Sequence, residues 1–184
     1  MATLIVFESF TGTSGNDATS PATIFYTGGI DGSYTFATGP TGTGGKANQK
    51  QLIYEFAPLD LVTVEVSMYL PTLPTTNFNP KKLLLLSDTS NFNLTLRMLT
   101  TGILRFEDSW NNWDGTVPVP AATNFRVVMD VDTIADTAEV SVYIGANING
   151  ATPDDVISAS LTGSSAIDIV ILNAGAALYV ANVA

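Results

Sequence analysis

A regular alternation of apolar and polar side chains between Thr123 and Ile144 constrains the fold more than any other feature of this sequence. The apolar positions are Phe125, Val127, Met129 and Val131 in the first half, and Ala138, Val140, Val142 and Ile144 in the second. A period of two is typical of a β-strand that buries one side and exposes the other. Because a polar connection separates the two halves, the pattern predicts an antiparallel β-hairpin.

The same period recurs along much of the chain. Leu61 to Leu70 alternates in the same way, a turn at Thr101-Gly102 leads into Ile103 to Glu107, and Val156 to Leu161 is short and β-branched. Leu83 to Leu86 is wholly apolar, which predicts a strand covered on both faces. No helical periodicity is sustained, so about a dozen short strands predict an all-β, two-sheet antiparallel sandwich.

Two segments rich in glycine or proline are predicted to be loops. Thr38 to Lys46 superficially resembles a phosphate-binding loop, but Pro40 and Ala47 occupy positions where that motif needs Gly and Ser or Thr. We therefore expect a flexible connection there. Pro71 to Pro80 contains three prolines, which exclude a central strand and predict a semi-rigid, exposed loop.

Size and charge limit the classes of partner. The chain has 184 residues, suited to one sandwich domain spanning 1-184, and its net charge of −10 disfavours binding to a phosphate backbone. No apolar run approaches the ~18 residues of a membrane span. The amino terminus has no basic leader and is expected to be a first strand, Thr3 to Phe10. We therefore predict that neither nucleic acid nor membrane is a partner.

The sequence contains neither Cys nor His. Their absence removes Ser-His-Asp and Cys-His catalysis, disulfides and the ordinary zinc sites. Glycanases need two carboxylates flanking the scissile bond, yet Glu65 has no acidic neighbour two residues away, and the adjacent Glu107 and Asp108 should face opposite ways. The sequence therefore predicts a protein that is not an enzyme.

Four stretches together resemble the concanavalin A-like, laminin-G-like jelly-roll superfamily of lectins, glycanases and adhesion modules. They are Phe7-Glu-Ser-Phe-Thr-Gly, Leu61 to Leu70, the hairpin from Asn124 to Gly145, and the terminal Leu178-Tyr-Val-Ala-Asn-Val-Ala. In that superfamily the closing strand often reads Tyr-Val-Asp-Asn-Val, and here Ala181 replaces the acid. The resemblance implies a jelly-roll sandwich and does not imply one activity.

The segment from Trp110 to Asp114 is the main candidate ligand site. Its residues are Trp110, Asn111, Asn112, Trp113 and Asp114. Indole rings stack on sugar faces, while amides and carboxylates bond to hydroxyl groups, so the segment suits a glycan. The alternative is that both indoles cap the end of the sandwich or fill a protein interface.

No cofactor or metal is predicted, although Ca²⁺ is a weak alternative. Asp130, Asp132 and Asp136 could supply oxygen ligands, but their spacing does not match an EF-hand loop. Asp130 and Asp132 should share the solvent-facing side of the hairpin, so a solvated hairpin tip is the other interpretation.

Three functional hypotheses follow from the sequence. The first is a non-enzymatic structural or adhesion module on a virion surface, such as a decoration or cement protein of a bacteriophage capsid or tail, held by protein partners and homo-oligomeric. The second is a lectin-like, carbohydrate-binding module that uses the Trp110 to Trp113 segment on a cell-surface glycan, in an extracellular setting. The third is a glycan-cleaving enzyme.

Overall fold

The computed structural model describes residues 30–31, 34–39, 42–47, 51–70, 72–76, 81–88, 92–173 and 179–183. The strands are β1 Ile30–Asp31, β2 Tyr34–Gly39, β3 Gly42–Ala47, β4 Gln51–Leu59, β5 Leu61–Leu70, β6 Lys81–Ser87, β7 Asn93–Met98, β8 Leu104–Glu107, β9 Asn112–Asp114, β10 Thr123–Asp132, β11 Thr137–Ile144, β12 Asp155–Ser160, β13 Ile167–Asn173 and β14 Tyr179–Val183. One short 3-10 helix, Gly145–Asn147, follows β11.

These strands form two seven-stranded antiparallel sheets. The first sheet has the order β1-β4-β13-β6-β7-β8-β9, and the second has the order β12-β11-β10-β5-β14-β3-β2. Neighbours that are distant in the chain, such as β5 beside β10 and β13 beside β6, show crossovers between the sheets. The predicted all-β, two-sheet jelly-roll sandwich is therefore confirmed. No helix in the described ranges is long and apolar enough to cross a membrane.

The apolar face of each alternating strand forms the core between the sheets. In β10 and β11 the residues from Phe125 to Val131 and from Ala138 to Val142 that the period predicted to be inward are buried. From the first sheet, Phe106 and the leucines of β6 and β7 pack into the same core. The hairpin is confirmed in register, with Met129 opposite Val140.

One prediction from local sequence is wrong, and one is right only in part. Thr38 to Lys46 does not form a flexible connection, because β2 and β3 pair there and β3 also pairs with β14. Leu83, Leu84 and Leu86 are fully buried but Leu85 is only half-buried, since a register shift next to Lys82 breaks the alternation.

Several predictions lie wholly or partly outside the described residues. The expected first strand, Thr3 to Phe10, is among these, as is the Phe7 to Gly12 stretch of the resemblance. In the proline-rich segment only 72–76 are described, and they are exposed or half-buried, as expected for a loop. The assignment of 1-184 to one domain stays a prediction.

Candidate functional site

A buried carboxylate holds the turn that presents Trp110. Asp108, which is 8% exposed, directly follows β8, and its Oδ1 accepts hydrogen bonds from the backbone N–H groups of Trp110 at 2.7 Å and Asn111 at 2.5 Å. The backbone N–H of Asp108 in turn donates to the carbonyl of Asn111 at 3.1 Å. The Trp110 side chain is nevertheless 78% exposed. A fixed backbone therefore presents an indole to solvent.

The same turn is tied to the end of β12. The Oδ2 of Asp108 accepts the backbone N–H of Thr162 at 3.1 Å, and the Asn111 side-chain amide donates to Thr162 Oγ1 at 3.1 Å. Thr162 follows β12 by two positions. These bonds place the turn of Trp110 next to the end of the second sheet.

The second indole has a different environment. Trp113 lies on β9 opposite Phe106 of β8, and the two ring centroids are 5.8 Å apart with planes tilted by 32°. Phe106 is fully buried and Trp113 is half-buried against the core. The sequence left two interpretations of the tryptophans open, a ligand site or a packing role. Trp113 packs against the core and keeps one side accessible, whereas Trp110 lies outside the core.

A cavity of about 670 Å³ lies at the end of the second sheet, and Trp113 is the one described lining residue that belongs to the first sheet. The remaining wall consists of three successive cross-strand rows from β5, β10, β11 and β12. The rows are Leu61, Asp132, Thr137 and Ser160; then Val62, Val131, Ala138 and Ala159; then Thr63, Asp130, Glu139 and Ser158. The middle row is buried, and nearly all residues of the two flanking rows are exposed.

The polar rows carry carboxylates and hydroxyl groups without a cation among the lining residues. Asp130 lies directly opposite Glu139 in the β10–β11 ladder, and its Oδ1 accepts the Thr63 hydroxyl at 2.5 Å. Like charges directly opposite each other destabilise an antiparallel pair. The cavity therefore combines an aromatic edge with closely spaced acceptors and donors, an arrangement suited to a polyhydroxylated ligand.

The other predicted site residues have separate roles. Asp114 is bound by Arg105 through two contacts, Nε to Oδ1 at 2.6 Å and Nη2 to Oδ2 at 2.8 Å. This hydrogen bonding, assisted by the charge of Arg105, lowers the pKa of Asp114 below its ordinary value. Asn112 is exposed on β9. Trp110, Asn111 and Trp113 therefore remain near the cavity, whereas Asp114 forms a surface ion pair.

The three weak calcium candidates are not gathered around one point. The Oδ1 of Asp132 accepts the N–H groups of Ile134 at 3.0 Å and Ala135 at 2.8 Å, and Asp136 accepts the hydroxyl of Ser164. Asp136 has a positive φ of 55°, a conformation that Asp tolerates in turns. Over the described ranges, no group of three or more acidic side chains is placed to hold a metal ion. The carboxylates of Asp132 and Asp136 instead hold the hairpin turn and the loop beside it.

One arginine, Arg126, lies on the same outer face of the second sheet, outside the cavity lining. Arg126 contacts Glu65 at 3.1 Å and donates to the Gly150 carbonyl at 3.0 Å, and its guanidinium lies 3.9 Å from the ring centroid of Tyr143. The row containing Arg126 and Tyr143 lies four residues along β10 from Asp130. Arg126 is thus occupied by partners within the fold.

Sequence reasoning missed Asp108, Glu139 and the hydroxyl rows. That Asp130 lies opposite Glu139 could have been predicted from the sequence, because the position of the hairpin turn determines which residues pair. The contact between Trp113 and the other sheet could not have been predicted, since β9 and β12 belong to different sheets and are far apart in the chain.

Comparison with known proteins gives structural likeness only. Neither a protein-family model nor a curated protein sequence matches this chain. A Trypanosoma rangeli sialidase in complex with the inhibitor DANA is similar with a TM-score of 0.59, at 13% identity, over 96% of this chain and 29% of the sialidase. The same organism's sialidase as a covalent intermediate with 2,3-difluorosialic acid gives a TM-score of 0.55 and 14% identity, with the same two coverages.

These structures share the fold, and this chain spans less than a third of the sialidase chains. They correct one prediction from the sequence. The expectation that the chain is not an enzyme is wrong as an inference from the sequence, because the sialidases that share its fold are enzymes. The elimination relied on missing His and Cys and on paired carboxylates within one strand, and a glycosidase can use a tyrosine nucleophile instead.

Proposed function

We propose that this chain binds glycans, with Trp110 as the stacking platform and the neighbouring cavity as the site of hydrogen bonding. The observation that carries the proposal is the 78% exposure of an indole whose backbone is held by the buried Asp108. An exposed Trp loses the free energy of burying a large apolar ring. Fixing such a ring at the surface is explained if a ligand covers it.

The cavity supports the same function. Its volume of about 670 Å³ is within the usual range of small-ligand pockets, roughly 300–1,000 Å³. Trp113 supplies an apolar edge, while Thr63, Thr137 and Ser158 supply hydroxyl groups. The fold is shared with a sialidase solved in complex with sialic acid at a TM-score of 0.55 and 13% identity, which is compatible with a sugar ligand.

A binding measurement with a matched control tests the proposal. A glycan array should identify ligands, and titration calorimetry should show that Trp110→Ala weakens the best ligand by at least about tenfold, or ~1.4 kcal/mol. Val156→Ala, at another exposed apolar side chain (45%) outside the cavity lining, should leave the affinity unchanged. Equal binding by wild type and Trp110→Ala would refute the role of the indole, and silence across a broad array would refute glycan binding.

Glycan cleavage is the second candidate function. Directly opposite residues of an antiparallel pair have Cβ atoms about 4.5–5.5 Å apart, so Asp130 and Glu139 place two carboxylates side by side on the cavity wall. Glycosidases flank the scissile bond with two such groups. Release of reducing sugar from the array ligands, abolished in Glu139→Gln, would support it. Binding without release from any ligand would reject it.

The structural role on a virion surface, protein partners, homo-oligomerisation and an extracellular setting stay predictions. Glycan recognition is compatible with attachment of a larger assembly to a cell surface. Co-purification at fixed stoichiometry with particles would test that setting.

A further inference from the structure

We infer that the site selects uncharged glycans and discriminates against those ending in sialic acid or another anionic sugar. This inference rests on the proposed glycan binding and concerns the same cavity. Its basis is the charge of the lining, in which Asp130, Asp132 and Glu139 are the three ionisable side chains among the described residues. Each is a carboxylate, so the cavity wall is anionic at neutral pH.

Few contacts offset this charge. Asp130 accepts the neutral hydroxyl of Thr63, Asp132 accepts two backbone N–H groups, and no ion pair among the described residues involves Asp130, Asp132 or Glu139. Hydrogen bonds from neutral donors leave the negative charge in place. A sugar carboxylate entering the cavity would therefore meet three like charges and no cation among the described lining residues.

The described arginines lie elsewhere. Arg97 and Arg105 lie on the first sheet, where each pairs with an acid, Glu107 or Asp114. Arg126 is on the second sheet, but it is paired with Glu65 and held by Gly150, and it does not line the cavity. An anionic sugar consequently finds its nearest described guanidinium outside the site.

Hydroxyl groups of a neutral sugar suit the same wall. Ionised carboxylates accept hydrogen bonds and cannot donate them, while the Thr and Ser hydroxyls of the two outer rows can do either. A neutral sugar supplies many O–H donors, and these match the excess of acceptors. The preference for neutral sugars thus follows from hydrogen bonding as well as from charge.

The test compares matched glycans that differ only in a terminal sialic acid. At about 50 mM salt we expect wild-type protein to bind the neutral member at least about tenfold more tightly, since repulsion between two unit charges at about 4 Å weakens binding roughly fivefold even at the dielectric constant of water, and the sugar carboxylate meets three such charges. Raising the salt to about 1 M should reduce the ratio of the two affinities, neutral to sialylated, because the screening length falls to ~3 Å.

Paired variants locate the effect. Glu139→Gln should reduce the neutral-to-sialylated ratio by at least about twofold, whereas Glu107→Gln, the same substitution on the first sheet, should leave it unchanged. An equal reduction by both variants would show that the net charge of −10, and not the cavity, sets the ratio, and would overturn the inference.

The outcomes also separate the inference from the function beneath it. Equal or tighter binding of the sialylated member by wild-type protein would overturn the preference and leave glycan binding standing. Binding of neither member, nor of any other glycan on the array, would overturn both.

Discussion

Replacing the buried Asp108 by Asn tests how the Trp110 turn is held. Asp108 accepts hydrogen bonds on both carboxylate oxygens, from Trp110 and Asn111 on Oδ1 and from Thr162 on Oδ2. Asn keeps the shape but has one acceptor oxygen, so its amide N–H₂ must face either the N–H of Thr162 or the N–H groups of Trp110 and Asn111. The substitution therefore leaves at least one part-buried backbone donor without a partner on the side chain at 108.

The magnitude follows from those contacts. A hydrogen bond to a charged group contributes about 1.5–3 kcal/mol, and an unsatisfied buried donor costs about 1–3 kcal/mol. We expect Asp108→Asn to lower the free energy of unfolding by about 2–4 kcal/mol. For a domain of this size that corresponds to a fall in Tm of roughly 5–15 °C. Glycan affinity should fall as well, because the turn that carries Trp110 loses its anchor.

Asp132→Asn is the matched control for stability. Asp132 accepts two backbone N–H groups with the same spacing, but one oxygen, Oδ1, takes both bonds and the turn is exposed. An Asn side chain can reproduce that arrangement, so the cost should be within about 1 kcal/mol. Urea unfolding of both variants measures these free energies. Equal losses of unfolding free energy for Asp108→Asn and Asp132→Asn would refute the reasoning from burial.

Three further predictions concern the framework around the site. Gly102→Ala should destabilise by at least about 2 kcal/mol in urea unfolding, because Gly102 has φ +83° and an added Cβ would meet the carbonyl oxygen of Val119. Phe106→Ala, at a fully buried ring beneath Trp113, should cost about 3–5 kcal/mol in the same assay. Asp114→Asn should lower Tm at pH 7, and the difference in Tm between variant and wild type should disappear as the pH falls below ~4. The reason is the lowered pKa of Asp114: the ionised carboxylate stabilises the fold above its ordinary pKa, and this stabilisation is lost when the group is protonated.

The sequence predicts the strands well where one face of the strand is buried and the other is exposed to solvent. Phe125 to Val131 and Val62 to Met68 alternate because each strand faces both core and solvent, so their burial could be read directly. It fails where tertiary pairing overrides local composition. The glycines at 42–45 disfavour a strand locally, yet β3 lies between β2 and β14, and the ladder bonds of both neighbours hold it in place.

The candidate site could be predicted only in part, for a related reason. Spacing identified Trp110 and Trp113 but could not show that one is exposed and the other packs on Phe106, because Trp110 lies in the turn before β9 and the packing of Trp113 depends on which side of β9 meets the core. Asp108 looked like one half of an unsuitable acidic pair. Its role depends on Thr162, 54 residues away, and no local pattern encodes such a contact.

Two features of the proposed site oppose stability. Trp110 exposes a large ring that burial would stabilise, and Asp130 faces Glu139 across a ladder where an opposite charge would stabilise the pair. Stable folds break such local rules mainly where function requires it. Like charges also lie opposite each other on the first sheet, where Arg97 faces Lys82 and Arg105, but there Arg97 and Arg105 each form an ion pair with an acid. An opposite-charge replacement, Glu139→Lys, should therefore increase the free energy of unfolding while it weakens glycan binding. A variant that lost stability would show that the carboxylate pair is tolerated for a structural reason and does not mark the site.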